Sequence, residues 1–84
     1  MTVYLTYFDA AGADMDGFAQ ETRHKRLSDG LYFVESNETR SRLYHRIKRY
    51  LKKDAPLLVA PLDQAPKFKK LEDGALKWIR ARFS

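Results

Sequence analysis

The cations of one short segment, residues 39–53, are the side chains in this chain that most clearly indicate a chemical role. The segment reads TRSRLYHRIKRYLKK and carries no acidic residue. Arginine presents forked N–H donors that match phosphate oxygens, and each phosphate that a cation neutralises releases counterions. The composition therefore predicts contact with the phosphate backbone of DNA or RNA. The predicted contact residues are Arg40, Arg42, Arg46, Lys48, Arg49, Lys52 and Lys53.

The same segment has the period of an amphipathic helix. Ser36 or Asn37 is expected to cap this helix, because a side-chain oxygen can accept an unpaired amide of the first turn. The apolar stripe must face the core, so the cations are expected to point away from the sheet and away from Asp9. The stripe has the spacing i, i+4, i+7 and i+8 and consists of Leu43, Ile47, Tyr50 and Leu51.

Like charges at i, i+4 destabilise a helix by about a few tenths of a kcal/mol per pair. A helix that keeps several such pairs is expected to use them on an anionic partner. Two other interpretations of the cationic face stay open. The face could simply be solvated, or it could dock on an acidic protein, as in a non-enzymatic interaction module of mobile-element origin. The sequence does not separate the last interpretation from nucleic-acid binding.

Whole-chain composition limits the class of protein. Eighty-four residues predict a single domain, residues 1–84, and 44% hydrophobic with 32% charged residues is typical of a globular protein. The chain has no cysteine, which excludes disulfides and cysteine zinc sites and favours a reducing compartment. The first residues show no signal peptide, and no apolar run has membrane length. We therefore expect a cytoplasmic protein with no membrane partner.

Charge is unevenly distributed along the chain, whose net charge is +5. Residues 1–22 carry −4, residues 23–53 carry +7 and residues 54–84 carry +2. Such segregation predicts a surface field that attracts polyanions, or a face that meets an oppositely charged part of another copy.

Hydrophobic periodicity and turn signals divide the chain into alternating strands and helices. In residues 2–8 both alternate sets are apolar or β-prone, which indicates a strand buried on one face or on two. A tight hairpin with positive φ at both central residues is expected at Asp29-Gly30. Whether residues 14–22 form a helix stays open, since Gly17 weakens the pattern. The expected elements are strands at 2–8, 23–27, 31–35 and 57–62 and helices at 14–22, 39–53 and 73–83.

This order predicts an α+β domain with the ferredoxin-like βαββαβ pattern. Two helices are expected to cover one face of a four-stranded sheet. The first helix is shortened, and a helical extension follows the last strand. The apolar run LLVAPL is expected to form a buried strand, with Pro61 at its end or at a sheet edge.

Four segments carry a resemblance to a known group of proteins. They are YLTYFD, which ends in Asp9, the hairpin HKRLSDGLYFVES, the segment DAPLLVAPL and the C-terminal ALKWIRARF. The chain resembles the small ferredoxin-like proteins related to the CRISPR spacer-acquisition nuclease/adaptor family and to the VapD-type ribonuclease toxins, in the SinR-like branch. The similarity spans nearly the whole chain.

This resemblance implies a catalytic and metal-binding role for Asp9. In the resembled nucleases, an aspartate that ends the first strand meets its dimer mate across a two-fold axis. Such a pair can hold Mg²⁺, a hard cation that prefers oxygen ligands. The resemblance thus implies a metal-dependent endonuclease or ribonuclease. The open alternative is that Asp9 only caps the strand and starts the following turn.

A homodimer is expected from the aromatic content. In a domain of this size, several aromatic side chains are expected to be buried in the core or against a second subunit. These side chains are Tyr4, Tyr7, Phe8, Tyr44, Tyr50 and Trp78.

Overall fold

The chain alternates strands and helices in a computed structural model that describes residues 1–83. The elements are β1 (Thr2–Phe8), α1 (Met15–Glu21), β2 (Arg23–Ser28), β3 (Leu31–Ser36), α2 (Arg40–Lys48), β4 (Leu57–Leu62) and α3 (Ala75–Phe83). The strands form one antiparallel sheet in the order β2-β3-β1-β4. This confirms the predicted ferredoxin-like α+β fold with a short first helix and a C-terminal helix. Among the described residues, no helix is long and apolar enough to cross a membrane.

One face of the sheet is covered by α1 and α2, as predicted. Phe8 of β1 stacks on Tyr32 of β3 with ring centroids 5.3 Å apart, and Phe18 of α1 packs edge-on against both rings. The stripe of α2 seals this core through Leu43 and Ile47, which are fully buried. Burial of side chains of this size stabilises the fold by about 1.5–3 kcal/mol each.

The other face is covered by α3 and the segment before it. Phe33 of β3 stacks on Trp78 at 5.8 Å between centroids and meets Phe68 edge-on at 5.9 Å. Ala75 and Ile79 of α3 are fully buried against this face. The sheet is therefore buried on two faces, which explains why both alternate sets of β1 are apolar.

Strand β4 lies at an edge of the sheet, which corrects the prediction of a buried strand. None of its six residues is fully buried, and Leu58 is 52% exposed. Leu57 and Val59 pack on the first core, whereas Leu62 packs on the second. Pro61 is tolerated because an edge strand has one side without ladder partners.

Helix α2 is shorter than predicted and begins with a different cap. Thr39 is the N-cap, and its side chain accepts a hydrogen bond from the Arg42 amide at 3.2 Å. The helix ends at Lys48, where the following amides turn back to carbonyls three residues earlier. The Tyr50 carbonyl then accepts the Asp14 amide at 2.7 Å, which ties this turn to the start of α1.

The β2–β3 hairpin departs from the predicted turn, which had positive φ at both central residues. Of its two central residues, only Gly30 has positive φ, at +74°. Ser28 pairs with Leu31, and the register shifts between Arg26 and Ser28. This irregularity lets the ladder close although Asp29 keeps an ordinary φ.

Replacing Gly30 by alanine is expected to destabilise the fold by about 3 kcal/mol. A Cβ at this position would lie 2.2 Å from the Phe8 carbonyl oxygen, which belongs to a buried central strand. The matched control is Gly74→Ala, where φ is +84° but only the flexible Lys25 side chain lies within 4 Å. The control is expected to cost about 1 kcal/mol, from backbone strain alone. Equal losses in urea unfolding would contradict the close contact at Gly30.

Candidate nucleic-acid interface

An open groove runs along the solvent side of α2. At 100° per residue, Ser41, His45 and Arg49 follow one another on one helix face, with Arg42 and Lys48 to either side. Four cations and one carboxylate line the groove, so its charge is strongly positive. The lining residues are Glu38, Ser41, Arg42, His45, Arg46, Lys48 and Arg49.

One of these cations, Arg46, already has an internal partner. Its Nη2 donates to Glu38 Oε1 at 2.6 Å, and its Nε lies 3.0 and 3.1 Å from the two oxygens of the same carboxylate. Its Nη1 donates to the Glu21 carbonyl at 2.9 Å, at the end of α1. Arg46 therefore joins α1, α2 and the loop after β3, and its donors are largely occupied.

The Glu38 carboxylate is held ionised by these contacts. Hydrogen bonds from Arg46 lower its pKa, and the Ser36 hydroxyl adds a further bond at 2.9 Å. The same carboxylate raises the pKa of the Arg46 guanidinium. The Glu38 carbonyl accepts the Tyr4 hydroxyl at 2.8 Å, so this loop is anchored to β1 as well.

Stability is expected to decrease in acid through Glu38. Because the folded state lowers the pKa of Glu38, this carboxylate contributes to the free energy of unfolding at neutral pH. The contribution is lost as the pH falls below the ordinary pKa of a glutamate in an unfolded chain, about 4.3. Glu38→Gln is expected to cost about 1–2 kcal/mol at pH 7, allowing for partial exposure, and to flatten the acid limb of the stability curve. The control, Glu72→Gln, removes the partner of exposed Arg26 and is expected to cost less than about 0.5 kcal/mol. Identical acid limbs in the parent and Glu38→Gln would contradict this assignment.

The other predicted phosphate-contact residues do not all lie in the groove. Arg42, Lys48 and Arg49 are exposed in the groove, and none of them takes part in an ion pair among residues 1–83. Arg40 is also exposed, but it lies outside the groove, on the other side of α2 beyond Tyr44. The groove thus brings together three of the predicted cations with free donors.

Lys52 and Lys53 lie beyond the end of α2, in a shallow depression that also contains Asp9 and Asp54. The Lys52 side chain occupies the space that a Cβ at Gly12 would take. The expectation that the segment's cations point away from Asp9 is therefore wrong for these two lysines. The chain turns at 49–51 instead of continuing the helix, and this turn carries them to the end of β1.

Asp9 is exposed, and its Oδ1 accepts the Ala11 amide at 3.0 Å. This bond is the one expected of a residue that starts a turn. Within residues 1–83, no group of three or more His, Asp or Glu side chains could hold a metal ion. The single-chain surroundings of Asp9 do not suit Mg²⁺, because two ammonium groups share its depression. The shared site across a two-fold axis stays a prediction.

Sequence patterns do not indicate the Glu38–Arg46 and Glu21–Tyr50 contacts. The Tyr50 hydroxyl donates to the Glu21 carboxylate, and burial raises the pKa of this tyrosine. Both pairs join different elements, so no helical spacing predicts them. Both pairs hold the side of α2 next to α1 against the rest of the fold, whereas Arg42, Lys48 and Arg49 are exposed on its outer side.

Comparisons of this chain with protein-family models, with curated proteins and with solved structures return no match. The resemblance to CRISPR-related and VapD-type proteins therefore stays a prediction.

Proposed function

We propose that this protein binds the phosphate backbone of nucleic acid through the groove of α2, without strong sequence specificity and in the cytoplasm. The observation that carries the proposal is a row of three exposed cations, Arg42, Lys48 and Arg49, with no carboxylate paired to them among the described residues. The one acid in the groove, Glu38, is neutralised by Arg46.

The geometry favours backbone contact over base contact. The groove is open and its exposed donors are long cationic side chains, which reach phosphate oxygens from several directions. Phosphate contacts give affinity and position but carry no sequence information. His45, whose ring lies 5.3 Å from that of Tyr44, adds a ring N–H donor to the same face.

The direct experiment measures binding of fluorescently labelled DNA and RNA duplexes by anisotropy over a range of salt concentrations. Three phosphate contacts predict that log K falls with log salt with a slope of about −3 on DNA. Duplexes of unrelated sequence are expected to bind with similar affinity. No binding at low salt would overturn the proposal and leave an acidic protein as the expected partner of the groove.

The same titration, run on scrambled duplexes, tests the second part of the proposal. A strong preference for one sequence would contradict backbone recognition. We do not advance metal-dependent cleavage as a second function, because Asp9 shares its depression with Lys52 and Lys53.

A further inference from the structure

The two edges of the sheet differ in how they are protected from pairing with other strands. Strand β2 carries Arg23, Lys25 and Arg26, and such charges disfavour the approach of another strand. Strand β4, at the opposite edge, reads LLVAPL and carries no charge. An uncharged apolar edge is a surface on which another strand can pair.

The hydrogen bonds of the central strand define which groups of β4 point outward. The Phe8 amide donates to the Gly30 carbonyl at 2.9 Å, so Phe8 faces β3 and its neighbour Tyr7 faces β4. Tyr7 pairs with Leu58, so the amides and carbonyls of Leu58 point inward, towards β1. The alternating residues Leu57, Val59 and Pro61 therefore direct their backbone groups away from the sheet. Leu57 and Val59 offer a donor and an acceptor each.

An exposed apolar pair lies beside these groups. Leu58 is 52% exposed and Tyr7 is 46% exposed, and they are direct cross-strand neighbours. Both belong to the face of the sheet on which α3 packs, but neither is among the residues packed in the core beneath α3. The free backbone groups and the exposed apolar side chains thus coincide at the start of β4.

We propose that a second copy of this chain pairs its β4 with this β4 in antiparallel orientation, with Leu58 on the two-fold axis. Leu57 and Val59 then exchange both backbone bonds with the partner's Val59 and the partner's Leu57, which satisfies every outward group of these two residues. Leu58 packs against the partner's Leu58 at the closer type of cross-strand pair. Pro61, which lacks an N–H, lies outside the bonded part of the ladder.

Charge supports a second copy as the occupant in this register. Beyond the paired residues, Asp63 follows the end of β4 and approaches the partner's turn at residues 53–54, where Lys53 offers a cation on a long side chain, and the partner's Asp63 approaches this turn in the same way. Both residues are exposed in the single chain. An unrelated apolar strand would lack these two symmetric charge pairs.

The dimer would form one eight-stranded sheet. Antiparallel pairing requires a two-fold axis perpendicular to the sheet, so both α2 helices lie on the same side. Helix α2 packs over β4, next to the axis, and the two cationic grooves become neighbours. This consequence rests on the proposed function, since it gives one nucleic-acid backbone two adjoining sites.

The same geometry separates the two copies of Asp9. Strand spacing and rise place each Asp9 about 10 Å from the axis, so about 20 Å separates Asp9 from the partner's Asp9. One Mg²⁺ cannot bridge that distance. This dimer is therefore incompatible with the shared metal site that the resemblance implies.

Sedimentation without nucleic acid tests the dimer independently of the proposed function. The parent is expected at twice the chain mass of 9.8 kDa. Leu58→Glu brings two carboxylates together on the axis and is expected to raise the dissociation constant at least about 100-fold. Leu76→Glu is the matched control, an exposed leucine on α3, and is expected to stay dimeric. A monomeric parent, or equal effects of the two variants, would overturn the interface, whatever the result of the binding assay.

A cysteine variant tests the register without adding charge. The chain has no cysteine, so Leu58→Cys provides one thiol per copy, directly on the axis. Mild oxidation is expected to give a covalent dimer for Leu58→Cys and little for the control Leu76→Cys, because the cross-strand distance at the axis suits a disulfide. Equal cross-linking of both variants would reject the register.

Discussion

Nucleic-acid binding is expected to fall at least about 100-fold when Arg42 and Arg49 are both changed to glutamate, because each charged hydrogen bond contributes about 1.5–3 kcal/mol. Both side chains are exposed in the groove and have no carboxylate partner among residues 1–83, so their replacement removes ligand contacts without breaking an ion pair. The slope of log K against log salt is expected to become shallower by about 2.

The control for this variant is Lys69→Glu with Lys77→Glu. These lysines are exposed and lie before and within α3, on the opposite face of the sheet from α2. The two double variants change the net charge of the chain by the same amount. If both weaken binding equally, a diffuse field of the whole protein is responsible and the groove is not the binding site.

Arg46 is left unchanged in this design because it holds the structure together. Reversing its charge would place two carboxylates beside each other at Glu38 and would release the end of α1 at Glu21. A loss of binding would then reflect a loss of folding.

Ile79→Ala is expected to destabilise the protein by about 2–5 kcal/mol, because it opens a cavity in a closely packed core. Ile79 is fully buried on the face of the sheet that carries Phe33. A loss of this size is a large part of the about 5–15 kcal/mol that stabilises a typical small domain.

Leu76→Ala, on the same helix, is the matched control. Leu76 is 41% exposed, and its replacement is expected to cost about 1 kcal/mol or less. Urea unfolding followed by the fluorescence of Trp78, which packs on Phe33, measures both variants. Equal losses would show that α3 is not an integral layer of the fold.

Two further contacts support α3 as part of the fold rather than an appendage. Arg82 lies over the Trp78 ring, 3.5 Å from its centroid, and its Nε is 3.6 Å from Glu35 of β3. The Glu72 amide donates to the Leu27 carbonyl at 3.0 Å, which attaches the preceding segment to β2. The Arg82 contacts hold the C-terminal end of α3 against the sheet, and the Glu72 bond holds the segment just before its N-terminal end.

Local patterns in the sequence were sufficient to predict the strands and helices and their order along the chain. The two apolar sets of β1 predicted its burial, and Leu43 and Ile47 predicted the inner face of α2. Side-chain periods of 2 and 3.6 residues are properties of the strand and of the helix themselves. For this reason the βαββαβ order and the terminal helix could be predicted from sequence, whereas the helix in residues 14–22 was left open because Gly17 weakens its pattern.

Contacts between distant residues were decided by the tertiary structure alone. The sequence by itself determined a cationic helix, but packing decided that Arg46 pairs with Glu38 and that Arg42, Lys48 and Arg49 remain free. Packing also carried Lys52 and Lys53 to Asp9 and placed α3 on the second face. Periodicity shows which side of an element is apolar, whereas its partner depends on how the whole chain fills its two cores.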